Sequence, residues 1–359
     1  MPAIRPGIRL RPSGKGLSAF APPANDGRLR PLGALRDNPG NLAGHFYVPD
    51  GLEGPAPLVV ILHGCTQNAA VYDQGSGWST LADRHGFILL FPEQQRANNA
   101  MLCFNWFSGN DSRRGMGEAA SIANMIAAMR RDHPVDPERI FVTGLSAGGA
   151  MASVMLATYP ETFAGGAVIA GIAFGCASDV AGAFDCMGGR ARGDADELGL
   201  KVRRASPHKG PWPRVQVWQG GADHVVAPSN ADAIVLQWAS LHGLPPTPSR
   251  TDKVAGYPRR SWFGKDGTPL IEEYMITGMA HGIPLDAASG DGRAGAHMLD
   301  VGLGSTGRIA TFFGIAPPDD AETTPSKQSA ARPAPERATG VQAVIENALK
   351  AAGLMGSAN

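Results

Sequence analysis

Residues 139–149 read Arg-Ile-Phe-Val-Thr-Gly-Leu-Ser-Ala-Gly-Gly, and this stretch decides the fold. Three apolar residues from Ile140 predict a buried strand, and the residues from Ala150 to Thr158 predict a helix. A Gly-x-Ser-x-Gly turn between a strand and a helix holds its serine in a strained conformation with the hydroxyl exposed. We therefore take Ser146 as the candidate nucleophile, with a purely structural turn serine as the alternative.

Two glycines flank this serine in the sequence. Gly144 and Gly148 lack side chains, so the predicted strand and helix can approach each other closely around the turn. A backbone N–H at the start of a helix can point at the negative charge that develops during acyl transfer. The N–H of Ala147 is therefore the first candidate oxyanion donor.

Strand-like and helix-like segments alternate on both sides of this turn, which predicts an α/β fold with a mostly parallel central sheet and helices on both faces. Continuous apolar runs such as 57–62 are typical of strands buried on both faces. Strands are predicted at 41–48, 57–62, 87–91, 139–143, 163–170, 214–219, 261–263 and 270–276, and helices at 78–85, 118–131, 150–158, 230–241 and 305–313.

Composition divides the chain into several segments around one catalytic domain. Residues 1–36 are rich in Pro, Gly and Arg and are expected to be irregular, whereas 37–315 carry the alternating pattern. Within that domain, residues 171–213 interrupt the rhythm and are interpreted as an insertion over the sheet, a candidate lid. Residues 316–338 have the composition of a linker, and 339–354 have apolar residues at the spacing of an amphipathic helix.

Charge and hydropathy exclude several classes of partner. The 359-residue chain has 32 Lys and Arg against 32 Asp and Glu residues, so we expect no nucleic-acid partner. No apolar run approaches the roughly 18–20 residues of a membrane span, so no transmembrane segment is expected. Residues 1–20 lack the apolar core of a signal peptide, which leaves a cytoplasmic location as one alternative.

The four cysteines fit no zinc-binding spacing, and they allow three disulfide pairings. Cys176 and Cys186 lie in one loop-like stretch and can close a small ring. Cys65 and Cys103 lie in loops that are expected to border the active site. Free buried thiols are the alternative, and a nucleophilic Cys65 is disfavoured because no base is paired with it.

A serine nucleophile needs a base and an orienting carboxylate, which should follow it in the order Asp or Glu, then His. Asp223 lies directly after the strand at 214–219, in the loop where that carboxylate is expected. An Asp that only fixes the turn is the alternative reading of this residue. Asp232 is a weaker candidate, because it falls within a predicted helix.

His281 is the candidate base, because it follows the strand at 270–276 through a short loop. The other histidines after Asp223 are less well placed. His224 adjoins the aspartate, His242 ends a helix, and His297 lies in a Gly-rich loop with no strand before it. A loop histidine with a structural hydrogen bond is the alternative for His281.

The second oxyanion donor is expected after the strand at 57–62, which leads into His63-Gly64-Cys65-Thr66-Gln67. We assign the Cys65 N–H, with Thr66 as the alternative donor. The aromatic residues Trp106 and Phe107 follow another strand, and with Thr66 they are candidates for lining a pocket for an apolar ester. Ordinary packing is the alternative for these two rings.

With these motifs in view, the chain resembles the polyhydroxybutyrate depolymerase family of esterases, which are related to feruloyl and acetylxylan esterases. The resemblance covers about residues 38–315 and rests on the motifs at 62–67, 103–107, 144–151 and 278–282. It implies an α/β-hydrolase fold, a triad of Ser146, Asp223 and His281, and an extracellular setting that permits disulfides. One departure is Gln219, which stands where relatives usually have histidine and leaves Asp223 in place.

The sequence therefore predicts a serine carboxylic-ester hydrolase that cuts short-chain hydroxyalkanoate esters through an acyl-enzyme. The expected partner is a small or oligomeric ester, and no metal or organic cofactor is expected, whereas the oligomeric state stays open. A feruloyl or acetylxylan esterase is the alternative within the same class. A non-catalytic relative that binds granules or surfaces is the alternative from another class.

Overall fold

The strand that ends at Leu145 lies near the centre of a ten-stranded sheet. A computed structural model of the protein describes residues 27–190, 193–290 and 292–318. The strands of this sheet are β1 (Arg30–Pro31), β2 (Ala43–Tyr47), β3 (Ala56–Leu62), β4 (Ile88–Glu93), β5 (Val135–Leu145), β6 (Gly165–Ile169), β7 (Arg214–Gly220), β8 (Arg250–Val254), β9 (Tyr257–Phe263) and β10 (Pro269–Ile276), and they lie in the order β1-β2-β4-β3-β5-β6-β7-β10-β9-β8.

The six adjacent strands from β4 to β10 in that order run parallel, and antiparallel strands flank them at both edges. This arrangement confirms the predicted mostly parallel sheet. The carboxyl ends of β3, β5, β7 and β10 therefore meet along one edge, where the loops that follow them can form a site. A separate two-stranded parallel sheet pairs β11 (Ile283–Leu285) with β12 (Met298–Asp300) beyond β10.

Helices cover both faces of the large sheet. They are α1 (Ala69–Ser76), α2 (Trp78–His85), α3 (Gly117–Asp132), α4 (Ala147–Thr158), α5 (Val180–Met187), α6 (Ala195–Arg203), α7 (Ser229–His242) and α8 (Ser305–Phe313). Successive side chains of a strand point to opposite faces, and in β3 Leu58 and Val60 join one buried cluster while Val59 and Ile61 join the other. Helices α3, α4 and α7 contribute to the first cluster, and α1, α2 and α8 contribute to the second.

Several elements differ from their predictions. The helix after Ser146 begins at Ala147 rather than at Ala150, because tertiary packing overrides the weak helix propensity of Gly148 and Gly149. The short strand β1 lies inside the segment 1–36 that we expected to be irregular, and it pairs with β2. Helix α1 and strand β8 have no counterpart in the prediction.

The insertion at 171–213 carries α5 and α6 and is fastened to α7. The buried amide of Gln237 on α7 bonds both the N–H and the C=O of Phe174, and it also donates to the Leu198 carbonyl. A disulfide joins Cys176 to Cys186 within the insertion. These contacts fix the base of the insertion, and its role as a lid stays a prediction.

The predicted linker at 316–338 lies outside the described residues beyond Pro318, and so does all of the predicted helix at 339–354. Most of the segment 1–36 lies outside them as well. Among the residues that the structure does describe, no helix has the length and apolar character that crossing a membrane requires.

Candidate active site

The turn at Ser146 has the conformation that the Gly-x-Ser-x-Gly motif predicts. Ser146 has φ 57° and ψ −119°, a left-handed backbone conformation that is strained for a residue with a side chain. Its N–H donates to the Ile169 carbonyl at 2.9 Å, and its own carbonyl accepts the N–H of Ala150 at 2.8 Å. The turn is thus fixed to β6 on one side and to the first turn of α4 on the other.

Gly148 allows the start of α4 to lie directly against the end of β3. A Cβ added at Gly148 would lie 2.2 Å from the Leu62 carbonyl oxygen and 2.5 Å from the His63 carbonyl oxygen. A Cβ at Gly144 would lie 2.5 Å from the backbone of Gly148. Because neither position has room for a side chain, the serine turn and the turn after β3 are held in close contact.

The turn after β3 offers one unused backbone donor. The N–H of Thr66 donates to the Met101 carbonyl at 2.7 Å, and the N–H of Gly64 donates to the Gln67 side chain at 2.9 Å. Within the described parts of the chain, the N–H of Cys65 donates to no other group. The same holds there for the N–H of Ala147, as is usual for the first residue of a helix.

All four cysteines form disulfides, so the alternative of free thiols is wrong. One bond joins Cys65 to Cys103 and the other joins Cys176 to Cys186. The first of them links the turn that carries the unused Cys65 N–H to the loop after β4. The alternative of a nucleophilic Cys65 thiol is excluded by the same bond.

The structure brings His281 and Asp223 together, although 58 positions separate them in the chain. His281 Nδ1 lies 2.7 Å from Asp223 Oδ2, and the Asp223 side chain is fully buried. The other carboxylate oxygen accepts the N–H groups of Val225 at 2.8 Å and Val226 at 2.9 Å. With these donors on its oxygens, the carboxylate is oriented toward the Nδ1–H of the imidazole.

Backbone hydrogen bonds join the loops that carry these two residues. The N–H of Gly221 donates to the Ile276 carbonyl at 2.9 Å, and the N–H of Ala222 donates to the Met279 carbonyl at 2.9 Å. The loops after β7 and β10 therefore form one unit, and the distance between Asp223 and His281 is set by the main chain.

The alternative histidines and the alternative aspartate lie elsewhere. His224 is exposed, and Asp232 forms an ion pair with Arg260 at 2.6 Å on the surface. His242 is bonded to the Pro213 carbonyl at 3.1 Å, and burial lowers its pKa to about 4. His297 is a neighbour of the site, because its ring meets the His281 ring edge-on with centroids 5.8 Å apart.

Ser146 follows β5 and His281 follows β10 at the same edge of the sheet, but no hydrogen bond joins the two side chains among the described residues. Serine–histidine contacts are often long in enzymes without substrate and shorten in the Michaelis complex. The arrangement brings a serine on a strained turn, two unused N–H donors and a carboxylate-bound imidazole to one edge of the sheet. These are the groups that acyl transfer requires.

Comparison with known proteins agrees with this chemistry. The profile of the family described as "Esterase PHB depolymerase" matches residues 42–257. The chain is 46% identical to poly(3-hydroxyalkanoate) depolymerase C of Paucimonas lemoignei over 77% of this chain and 68% of that protein. It belongs to the PHB depolymerase family of esterases. The enzyme is therefore a carboxylic-ester hydrolase, as its sequence predicts.

Other relatives of this esterase have different names. It is 34% identical to an acetylxylan esterase of Coprinopsis cinerea, over 74% of this chain and 73% of that protein. It is 31% identical to feruloyl esterase B of Talaromyces stipitatus, over 70% of this chain and 71% of that protein. Among solved structures, an acetyl xylan esterase from Aspergillus awamori matches with a TM-score of 0.69 and 26% identity, over 81% of this chain and 100% of that one.

The residues expected to line the ester pocket of this esterase have different exposures. Thr66 is exposed and Phe107 is partly buried, whereas Trp106 belongs to the buried cluster on the α3 side of the sheet. The Trp106 and Phe107 rings meet edge-on with centroids 5.4 Å apart. Packing in the buried cluster thus explains the position of most of the Trp106 side chain. That the three residues line a pocket stays a prediction.

Two residues of the esterase gain a structural role that the sequence did not assign. Gln219 is buried, and its amide donates to Asp223 Oδ2 at 3.2 Å and to the Val226 carbonyl at 3.1 Å. The feature of the sequence that points to this residue is the glutamine itself, which stands where relatives usually have histidine. Glu118 is also buried, at the start of α3, and its polar contacts lead toward the turn after β3.

Proposed function

We propose that Ser146, His281 and Asp223 form the catalytic triad of this esterase, with the N–H groups of Cys65 and Ala147 as its oxyanion hole. The observation that carries the proposal is the 2.7 Å contact between His281 Nδ1 and the buried Asp223 carboxylate. It lies at the sheet edge where the strained Ser146 turn begins a helix. The two N–H groups without a partner in the described residues support the oxyanion assignment.

In this mechanism, His281 Nε2 takes the proton of Ser146 while the serine oxygen attacks the ester carbonyl carbon. Asp223 keeps the imidazole in the tautomer with a proton on Nδ1 and stabilises the imidazolium that forms. The N–H groups of Cys65 and Ala147 bind the negative oxygen of the tetrahedral intermediate. His281 then protonates the departing alcohol, and water hydrolyses the acyl-enzyme by the same route.

For the substrate, we propose short-chain hydroxyalkanoate esters, either oligomeric or small. The support is the 46% identity to a protein named poly(3-hydroxyalkanoate) depolymerase C. Acetylated or feruloylated polysaccharide is the second candidate, supported by the acetylxylan and feruloyl esterases at 31–34% identity and by the solved acetyl xylan esterase.

Thr66, Trp106 and Phe107 are proposed to line the pocket for the acyl or alcohol group, with the insertion at 171–213 as its lid. The support is position, because the Cys65–Cys103 disulfide brings the aromatic loop next to the turn with the unused Cys65 N–H. The two disulfides also support a working location outside the reducing cytosol.

The nucleophile is tested by Ser146→Ala with p-nitrophenyl butyrate as substrate. We expect kcat/KM to fall by roughly 10⁴-fold or more, since the nucleophile is removed. Ser153→Ala is the matched control, because Ser153 is a buried serine of α4, the helix that follows Ser146, and its hydroxyl bonds the Gly149 carbonyl. A fluorophosphonate probe should label the wild type and the control, and a Ser146→Ala variant with more than a tenth of wild-type activity would refute the triad.

The substrate class is tested by measuring kcat/KM side by side on 3-hydroxybutyrate oligomers, acetylated xylan oligomers and methyl ferulate. We expect the hydroxybutyrate oligomers to give the highest value. A higher value on acetylated xylan or on methyl ferulate would replace the substrate proposal and would leave the triad unaffected.

A further inference from the structure

A buried carboxyl group lies behind the turn that carries Cys65. Glu118 is 1% exposed and sits in the first turn of α3. Its Oε1 accepts the side-chain amides of Gln94 at 2.6 Å and Asn105 at 2.7 Å, and its Oε2 accepts the N–H of Asn105 at 2.8 Å. All three donors are neutral amides, and their bonds to this carboxylate attach Gln94 and Asn105 to α3.

Gln94 connects Glu118 to His63. The N–H of Gln94 donates to His63 Nε2 at 3.1 Å, so the ring proton lies on Nδ1. Nδ1 then donates to the Gly64 carbonyl at 2.8 Å. Because His63 is fully buried, burial lowers its pKa, and the neutral ring keeps both contacts. Gln94 thus bonds the Glu118 carboxylate with its side chain and His63 with its backbone N–H, and His63 in turn bonds the Gly64 carbonyl.

The Gly64 carbonyl and the Cys65 N–H belong to one peptide group. A peptide is planar and trans, so holding the carbonyl at one edge fixes the direction of the N–H at the other edge. The Cys65 N–H is the group without a partner in the described residues. The Gly64 carbonyl also accepts the N–H of Gln67 at 3.3 Å, so the 2.8 Å bond from His63 is the shorter of the two contacts that orient this donor.

A second path joins Glu118 to the same turn. The Gln94 amide also donates to the Cys103 carbonyl at 3.1 Å, and Asn105, two residues further on, is bonded directly to Glu118. The disulfide then connects Cys103 to Cys65. Two residues share this peptide group. Gly64 is attached to Glu118 through the His63 ring, and Cys65 is attached to it through the disulfide.

We propose that Glu118 is a positioning residue for the reaction: through Gln94 and His63 it aims the Cys65 N–H at the oxyanion. This inference rests on the proposed oxyanion hole and adds the group that holds it in place. Glu118 itself touches none of the reacting atoms.

The ionised form of Glu118 is the one that fits this role. A carboxylate can accept from all three amides, whereas a protonated carboxyl must place its own O–H against one of these donors. Burial, together with a smaller effect of the nearby Asp111 carboxylate, raises the pKa of Glu118 to about 7 against the opposing effect of the hydrogen bonds from Asn105 and Gln94. Asp111 precedes α3, and the other titratable groups around the path are His63 after β3 and Glu93 at the end of β4. Activity should therefore decline as the pH falls through about 7.

Glu118→Gln tests the proposal, because it keeps the shape of the side chain and removes the charge. Its amide group would face the Gln94 or Asn105 donors and break one contact. We expect kcat on p-nitrophenyl butyrate to fall roughly tenfold with KM within about twofold, a fraction of the roughly 10²–10³ lost when an oxyanion donor is removed outright. The inhibition constant of butaneboronic acid, which forms a tetrahedral adduct on the serine, should rise by about the same factor.

The pH profile separates positioning from a general structural role. In the variant, the component of the acid limb of kcat near pH 7 should disappear. Glu272→Gln is the matched control, because Glu272 is a largely buried carboxyl with a raised pKa and a glutamine partner, Gln216. It lies in β10 before the His281 loop, and its replacement should leave kcat, boronate affinity and the pH profile unchanged.

Asn105→Ala provides a second variant if Glu118→Gln folds poorly. It removes the side-chain donor at 2.7 Å without changing the carboxylate, and it should shift kcat and boronate affinity in the same direction by about threefold. Unchanged boronate affinity in the folded variant, or a change in KM as large as that in kcat, would overturn the inference. An active Ser146→Ala variant would instead overturn the proposed function, so the two failures are distinguishable.

Discussion

The loops that carry Asp223 and His281 are joined to each other by backbone hydrogen bonds, whereas the turn that carries Cys65 depends on a disulfide and on side chains in addition to backbone bonds such as that of the Thr66 N–H to the Met101 carbonyl. In the first region, the N–H groups of Gly221 and Ala222 donate to the carbonyls of Ile276, at the end of β10, and Met279, in the loop after it. In the second region, the Cys65–Cys103 disulfide and the hydrogen bonds to the Glu118 carboxylate help to hold the turn in place. Of the two regions, the second contains the disulfide and the buried Glu118 carboxyl, so sensitivity to reductants and the pH dependence that comes from Glu118 should reside there.

The largest effect is expected in the first region from Asp223→Asn. The change removes the carboxylate that accepts the hydrogen bond of the imidazole Nδ1–H, so His281 takes the wrong tautomer, and kcat should fall by roughly 10⁴-fold. Asp232→Asn is the control, because Asp232 pairs with Arg260 on the surface. Steady-state kinetics with p-nitrophenyl butyrate would measure both variants. Equal losses in the two would contradict the assignment of Asp223.

In the second region, replacing Cys65 and Cys103 together by serine should affect stability and catalysis at once. A cross-link between residues 38 positions apart is expected to contribute roughly 3–4 kcal/mol to the free energy of unfolding. The turn that carries the Cys65 N–H would also lose one of its supports, so we expect kcat to fall about tenfold. Urea unfolding would measure the loss of stability, and steady-state kinetics would measure the fall in kcat.

The Cys176–Cys186 pair is the control for that experiment, since it lies in the insertion. Its double serine variant should lose stability but keep kcat within about twofold of the wild type, because no backbone donor of the proposed site depends on it. If the insertion pair lowered kcat more than the Cys65–Cys103 pair, the contrast between the two regions would be wrong.

The buried Glu118 carboxyl of the second region should also make the free energy of unfolding depend on pH. The folded pKa of Glu118, about 7, is above its ordinary value of 4.5, so the folded protein holds a proton that the unfolded chain has released. This contribution to stability is fully present below pH 4.5 and is lost as the pH rises through about 7, to a total of roughly 3 kcal/mol. Urea unfolding of wild type and Glu118→Gln at pH 4.5 and 8 would measure it, and a difference between the variants that is independent of pH would contradict it.

The smallest effect tests whether the first region depends on any side-chain anchor. Gln219→Leu removes one donor to Asp223, but His281 and the N–H groups of Val225 and Val226 remain. We expect kcat to fall by about three- to fivefold, the order of one hydrogen bond. Gln219→His should restore most of the activity, because an imidazole N–H can replace the amide. A loss as large as that of Asp223→Asn would contradict the dominance of the backbone in this region.

Local order along the chain was enough to predict the sheet and the residues of the proposed triad. Ser146 is specified by the stretch 139–149 in which it lies, and Asp223 and His281 each follow a recognisable strand. The boundaries of α4 could not be predicted, because Gly148 and Gly149 oppose a helix until they pack against the end of β3 and the β6 carbonyls.

The anchors of the Cys65 turn could not be predicted from local sequence. Gln94, Asn105 and Glu118 lie in three different segments and carry no shared motif, so their convergence depends on the packing of α3 against β4. The cysteine pairing stayed open for the same reason, since three pairings satisfy the sequence equally well. In both cases the missing information is a distance in three dimensions.

The contact between Gly148 and the backbone of Leu62 and His63 limits how this enzyme can be changed in the laboratory. Libraries that aim at new esters gain nothing from side chains added at Gly144 or Gly148, because each added atom there would shift the turn of the proposed nucleophile against the end of β3. Diversity belongs at the exposed positions of the insertion at 171–213, the proposed lid, whose base is fixed by Gln237 and whose helices bury Ala183, Leu198 and Val202. A screen confined to those exposed positions would test whether the insertion sets the substrate.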